Sequence, residues 1–267
     1  MRILTRISAA TLTAALGAAT WLAMSSEPSR ASASPTLTAG KHVMQLKRHA
    51  GANQHSLNWA GYIRAGQDFR NASGTWTVPK LASTYDGYSS TWVGIDGATS
   101  EDKFLIQTGT EADVVNGQRS YRAWWEVITP TNVAPETLFS NLTVSPGDSI
   151  TATVSQLSSG RWKMALIDNT TGRSASHTTA FAGPGSSAEW IQEDTDVDGY
   201  ISTAPKWSKV KFTNLTLNDD NPKLRASEAV DLVDREGTRE ARTSAPTSAG
   251  DGFSVKWLAT GTKTYAG

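Results

Sequence analysis

The sequence contains no cysteine and only four histidines among its 267 residues. Without cysteine, the chain forms no disulfide bonds and offers no thiolate as a nucleophile or metal ligand. Stability must therefore come from a large core, which excludes the small disulfide-bonded scaffolds. Three histidines precede Asn58, so a Ser-His-Asp triad would depend on His177 alone.

The chain also lacks an excess of either charge, with 25 Lys and Arg residues against 25 Asp and Glu residues. This balance argues against a nucleic-acid-binding surface, which would be basic. It predicts many salt bridges, and these weaken as carboxylates become protonated in acid.

No uninterrupted apolar segment approaches the roughly 20 residues that a membrane span needs. The N-terminus has Arg2 and Arg6, an apolar run through Leu22, and an A-x-A pattern at Ala31 to Ala33. This order of features predicts a cleaved signal peptide over residues 1–33 rather than an anchor. Its removal leaves 22 basic and 24 acidic residues.

Long amphipathic helices are absent as well, apart from a short candidate near "ASEAVDLV". Residues 34–57 are polar and aperiodic, which predicts a linker or a short propeptide. From 58 to 267, short runs alternate apolar and polar residues between turn signals, as when Ile150, Ala152 and Val154 share one face of "DSITATVS". The pattern predicts one all-β domain, an antiparallel two-sheet β-sandwich.

Common catalytic and metal-binding motifs are missing. The sequence has neither G-x-S-x-G nor H-E-x-x-H. "DTDVDG", residues 194–199, resembles the start of a calcium loop, but Pro205 stands where a bidentate Glu is expected, so a solvated turn is favoured. We therefore expect no metal and no cofactor.

What the chain does offer is carboxylates, amides and ten tryptophans. The two-residue period of a strand places Trp124 and Glu126 on one face of "YRAWWEVITP", and Glu189 and Glu193 on one face of "AEWIQEDT". Gln107 ends an apolar strand, "KFLIQTG". A partly buried Glu beside an aromatic ring suits proton transfer, because burial raises a carboxyl pKa. Spacing alone does not decide which Glu is used, and each one singly could be a surface acid.

Seven segments together resemble the glutamic peptidase (eqolisin) family. They occur in the family's order: "NWAGY", "GTWTVP", "STWVGIDG", "FLIQTGTEADV", "YRAWWEVITP", "NTTG" and "AEWIQED". The resemblance covers nearly all of residues 58–200 and continues more weakly to the C-terminus. It implies a sandwich of concanavalin-like or lectin-like architecture with a substrate cleft on one sheet.

The resemblance also implies a catalytic dyad, Gln107 and Glu193, which we expect to be adjacent on the sheet. Glu189 and Gln192 are the near misses. Glu193 would act as general base and then general acid on water, while Gln107 would stabilise the oxyanion. Such a mechanism needs neither a covalent intermediate nor a metal.

Four further positions match family residues that contact the substrate or support the cleft: Trp59, Trp92, Asp96 and Glu126. We assign Trp124 to the same group because it lies beside Glu126. The implied protein is a secreted, monomeric, acid-active endopeptidase that acts on polypeptides. It would bind no nucleic acid and, after removal of the signal peptide, no membrane.

Two other functions stay open from the sequence. A lectin-like sandwich with aromatic-rich faces, on which sugars stack, suits a carbohydrate-binding module. A glycoside hydrolase would use two carboxylates, for example Glu126 and Glu193, about 5 to 10 Å apart. The chain also departs from the family's fungal members, which are poor in Lys and Arg, so we expect a less extreme acid optimum.

Overall fold

The computed structural model describes residues 46–47, 54–82, 85–98 and 103–265, and strands dominate it. The "ASEAVDLV" segment, the short helix candidate, forms one 3-10 turn, Ala226–Glu228, followed by a strand. The strands are β1 (Leu46–Lys47), β2 (Gln54–Ser56), β3 (Trp59–Ala65), β4 (Asn71–Thr77), β5 (Ser89–Ile95), β6 (Leu105–Val115), β7 (Gln118–Thr129), β8 (Asn132–Val133), β9 (Thr137–Leu138), β10 (Ser149–Ser158), β11 (Arg161–Asp168), β12 (Arg173–Ala180), β13 (Ser187–Asp194), β14 (Asp196–Val197), β15 (Tyr200–Ile201), β16 (Val210–Leu217), β17 (Ala229–Val233), β18 (Arg239–Thr243), β19 (Phe253–Trp257) and β20 (Thr264–Tyr265).

The strands form two layers that are joined along one side. One layer has the order β12-β11-β10-β4-β16-β19, and the other has the order β17-β3-β13-β5-β6-β7. β18 pairs with both β17 and β19 and so connects the layers. All these pairings are antiparallel. The predicted all-β antiparallel sandwich is confirmed.

The main core lies between the two layers. Val93, Ile106 and Trp190 extend into it from one layer, and Ile150 and Trp162 from the other, all nearly inaccessible to solvent. Because side chains alternate along a strand, the opposite face of the β3 to β7 layer carries a second set of residues. That outer face has its own apolar cluster: Trp59, Trp92, Leu105, Trp124, Ile128 and Ile191.

The sheet begins before Asn58. β2 lies within the segment that the sequence assigns to a linker or propeptide, yet it pairs in parallel with β17. Residues 1–33, the expected signal peptide, lie outside the described residues. Among the residues that the structure describes, no helix is long and apolar enough to cross a membrane.

Candidate active site

Strand register places Gln107 and Glu193 on the same face of one sheet. On the central strand β5, Gly94 pairs with Gln107 of β6, and Ser90 pairs with Glu193 of β13. Directly paired residues of antiparallel strands point to the same side. Trp92, midway between Ser90 and Gly94, therefore lies at the midpoint of the diagonal from Gln107 to Glu193. We call this outer face of β3, β13, β5, β6 and β7 the site face.

The two residues are not on neighbouring strands, so the expectation that they are adjacent is wrong: β5 lies between them. On a flat sheet their Cα atoms would be about 16 Å apart. Side chains stand roughly perpendicular to a sheet, so Gln107 and Glu193 both extend from the site face, on either side of Trp92.

Glu193 is held through both of its carboxyl oxygens. Asn58 Nδ2 donates to Oε1 at 3.0 Å, and the Trp92 indole N–H donates to Oε2 at 2.7 Å. Asn58 is in turn held by Ser56, whose hydroxyl donates to Asn58 Oδ1 at 3.1 Å. These bonds fix the plane of the carboxyl group. A carboxylate has about four acceptor sites, so two such bonds do not exhaust its capacity to bind water.

The amide of Gln107 is oriented by its other neighbour across the sheet. Gln107 pairs with Glu126 of β7, and its Nε2 donates to Glu126 Oε2 at 2.5 Å. Glu126 lies on the face of β7 away from the main core, but it is not the surface acid that a single Glu in such a strand could be. Glu126 is buried, 1% exposed. Its carboxylate fixes which end of the amide faces β7.

The tryptophans form the floor of the site face. Trp59 and Trp92 pack edge to face with ring centroids 4.8 Å apart, and the Trp124 indole N–H donates to Ser90 Oγ at 3.2 Å. Asp96 has a different place: it accepts hydrogen bonds from the backbone N–H groups of Gly185 and Ser186, at 3.1 and 2.6 Å. It therefore anchors the loop that precedes β13.

Gly94 has no side chain, and the space this leaves on the site face is occupied by Trp92 and Gln107. A Cβ at this position would lie 2.9 Å from Trp92 Cζ3 and 3.3 Å from Gln107 Cβ. The indole ring of Trp92 thus extends from Glu193, which its N–H contacts, to the edge beside Gln107. Any side chain at Gly94 would displace the ring or the amide.

We expect Gly94→Ala to lower kcat by about 100-fold, because a displacement of about 1 Å at a catalytic group has an effect of that size. Gly74→Ala is the matched control, since its Cβ would be equally crowded, 2.8 Å from Leu215 Cδ2, but in the main core. The control should lower Tm and leave the kcat of the folded enzyme unchanged. Equal kcat values for the two variants would contradict this account of Gly94.

Buried carboxyl groups surround the site. Burial raises the pKa of Asp194, which follows Glu193 on the opposite face, well above its ordinary value, and Glu193 raises it further. Burial, with Asp194 as the largest charged neighbour, raises the pKa of Glu240 to about 10. On β6, burial raises the pKa of Asp113 to about 7, although Arg122 forms an ion pair with this carboxylate at 3.1 Å.

These shifts predict that the fold loses stability as pH rises. Below about pH 4 such carboxyls are protonated in both the folded and the unfolded chain. Above that, the unfolded chain ionises first, so the free energy of unfolding falls until pH passes the folded pKa values. Asp168 and Glu228 have lowered pKa values, so their ionisation makes the fold more stable as pH rises. That gain in stability is complete above about pH 5 and does not change between about pH 5 and pH 8.

We therefore expect Tm to fall by about 10 °C between pH 5 and pH 8. Glu240→Gln should flatten that dependence, because a neutral amide replaces the acid, whereas the exposed control Asp219→Asn should not. Calorimetry across this pH range checks both. A Tm that rises toward pH 8 would instead support the salt-bridge argument from the charge balance.

Other candidate residues lie away from the site face. His177 stacks on Trp125 with ring centroids 3.7 Å apart, on the side of β7 opposite to Glu126. Residues 196–201 form the hairpin of β14 and β15. In the described part of the chain, no group of three or more His, Cys, Asp or Glu residues could hold a metal ion.

The geometry disfavours a two-carboxylate glycoside hydrolase built on Glu126 and Glu193. β6 and β5 lie between their strands, and Gln107 of β6 is paired directly with Glu126. The two carboxyl groups also have separate partners, Gln107 for one, and Asn58 and Trp92 for the other.

Comparisons with known proteins identify the family of the chain. Residues 57–257 match the model of the peptidase A4 family. The chain is 30% identical to Aspergillopepsin-2 of Aspergillus niger over 250 residues, 84% of this chain and 86% of that protein. It is 31% identical to Scytalidopepsin B of Scytalidium lignicola over 184 residues, 64% of this chain and 67% of that one.

Solved structures give the same result. A crystal structure of scytalido-glutamic peptidase with a transition-state analogue inhibitor superposes with a TM-score of 0.62 at 25% identity, covering 75% of this chain and 98% of that one. The family match and the shared all-β fold identify the chain as a peptidase. The chain belongs to the peptidase A4 family, the glutamic peptidases or eqolisins, and is a hydrolase of peptide bonds.

Proposed function

We propose that the protein is a secreted, acid-active endopeptidase in which Glu193 activates water and Gln107 binds the oxyanion. The family supports the peptidase activity. The dyad rests on one observation in particular: Gln107 and Glu193 share one sheet face with Trp92 at the midpoint between them. Trp59 and Trp92 would line the substrate site, while Trp124, Glu126 and Asp96 would support it.

The first step is attack by water on the scissile carbonyl carbon. The Glu193 carboxylate, held by Asn58 and Trp92, takes one proton from the water as the new C–O bond forms. The carbonyl oxygen becomes an oxyanion. Gln107 has two amide N–H groups; one donates to Glu126, and the other stabilises the oxyanion.

In the second step the tetrahedral intermediate collapses. Protonated Glu193 gives its proton to the leaving nitrogen as the C–N bond breaks, which regenerates the carboxylate. Two fragments with a new carboxyl and a new amino terminus result. No side chain becomes covalently attached to the substrate, so the mechanism needs one water for each bond cleaved.

The test is hydrolysis of a denatured protein by the purified enzyme from pH 3 to pH 7, with pepstatin and a chelator present. The proposal expects cleavage that is fastest in acid and insensitive to both compounds. Inhibition by the chelator would indicate a metal site, and inhibition by pepstatin an aspartic dyad. Failure to cleave any polypeptide would return carbohydrate binding to consideration.

Secretion is a separate part of the proposal and rests on the N-terminal pattern of residues 1–33. Expression of the full chain in a secreting host should release protein whose N-terminus lies beyond Ala33. N-terminal sequencing of the released protein measures this directly. Retention of the complete chain inside the cell would contradict it.

A further inference from the structure

Glu189 occupies the row of the site face that contains Gln107. It pairs with Gly94 across β13 and β5, and Gly94 pairs with Gln107 across β5 and β6. The row therefore runs Glu126, Gln107, Gly94, Glu189. On a flat sheet Glu189 lies about 10 Å from Gln107, nearer than Glu193 does. The only residue between them has no side chain.

The surroundings of Glu189 keep it uncharged. The side chain is completely buried, and neither carboxyl oxygen has a hydrogen-bond partner of good geometry among the described residues. Ile63 faces it from β3, Gly94 faces it from β5, and Asp96 is the charged group that acts on it. A buried carboxyl with no cation to balance it takes up a proton.

The pKa of Glu189 reflects these surroundings. Burial raises it well above the ordinary value, and Asp96 raises it further. The nearby Ser187 hydroxyl lowers the pKa by less than burial raises it. At acid pH the side chain of Glu189 is therefore a neutral carboxylic acid, with one O–H group that can donate a hydrogen bond. Such groups occur in enzymes where an apolar site keeps an acid neutral so that it can stabilise an oxyanion.

We propose that Glu189 is a third functional residue of the site, a hydrogen-bond donor that binds the same substrate oxygen as Gln107. The inference rests on the proposed function, because it needs an oxyanion beside Gln107. Glu126 accepts one of the two N–H groups of Gln107, so at most one N–H of this amide can be directed at the oxyanion. A second donor from the opposite end of the row would complete the oxyanion site.

The test compares Glu189→Gln with Glu189→Leu, and uses the exposed Glu236→Gln as control. The amide still donates, so Glu189→Gln should keep kcat within about tenfold and remain active at higher pH, since it does not ionise. Glu189→Leu should lose about 100-fold in kcat with little change in KM. Its Tm should be unchanged or higher, because it removes a buried carboxyl group that no cation balances.

Each outcome decides the inference. A Leu variant that is stable and fully active, or Gln and Leu variants with equal activity and unshifted pH profiles, would overturn it. If the Leu variant does not fold, the pH profile of Glu189→Gln still decides, because a purely structural acid would leave the alkaline limb unchanged. Glu193→Gln separates the two proposals: if that variant is active, the dyad itself fails, whereas if it is inactive and Glu189→Leu is active, only this inference fails.

Discussion

Replacing Glu193 with Gln is expected to reduce kcat by about 10⁴-fold, the largest effect of any single substitution. The amide is nearly isosteric but cannot accept the proton of the attacking water, and general acid-base catalysis contributes up to about that factor. The carboxylate of Glu193 now accepts hydrogen bonds from Asn58 and Trp92. In the variant, the NH2 group of the new amide would face one of these two donors, and that hydrogen bond would be lost. Single-turnover cleavage of a quenched peptide measures the loss.

Asp194→Asn is the matched control for that substitution. Asp194 is the next residue of β13, so the change is chemically the same but points to the opposite face. It should leave kcat unchanged and should raise Tm at neutral pH, because it removes a buried acid. If both variants lost activity equally, distortion of β13 rather than loss of the base would be the cause.

Gln107→Ala should lower kcat by about 100 to 1,000-fold, the typical result of removing one oxyanion donor. KM should change little, because the donor acts on charge that develops in the transition state. The substitution also leaves Glu126 without the hydrogen bond from Gln107 Nε2. Steady-state kinetics on one peptide, with circular dichroism to check folding, measures the effect.

Gln118→Ala controls for Gln107→Ala. Gln118 is an exposed residue at the start of β7, away from the site face rows that hold the dyad. It should leave both kcat and KM at wild-type values. A Gln107→Ala variant that raised KM and kept kcat would show that Gln107 binds the substrate equally well in the ground state and would contradict its assignment to the oxyanion.

The sequence predicted correctly which residues share one face of a strand, because this depends only on the alternation of side chains along that strand. The two-residue period correctly put Trp124 and Glu126 on one face of β7, and Glu189 and Glu193 on one face of β13, because a strand alternates whatever its neighbours are. The family motifs added the dyad, which spacing could not single out.

Strand order and register were not predictable in the same way. No local pattern says that β5 separates β6 from β13, so the sequence suggested a direct contact where the structure places Trp92 between the two residues. The importance of Asn58 and Gly94 also follows only from register. Asn58 stands in the motif "NWAGY", but its partner Glu193 is 135 residues away.

Charge balance and burial lead to opposite expectations for stability in acid. Equal numbers of acids and bases suggested salt bridges that acid would weaken. The structure instead buries several acids, among them Asp194 and Glu240, whose raised pKa values make acid stabilising. Composition does not reveal which carboxyls are buried, and burial decides the sign of their effect on stability.

The most direct test of the central claim is a double-mutant cycle between Gln107 and Glu193, measured by single-turnover cleavage of one peptide. If both residues act on the same water and carbonyl, their effects are not additive. The account predicts that Gln107→Ala combined with Glu193→Gln is no more than about tenfold slower than Glu193→Gln alone. A double variant slowed by the full product of the two single losses would contradict the dyad.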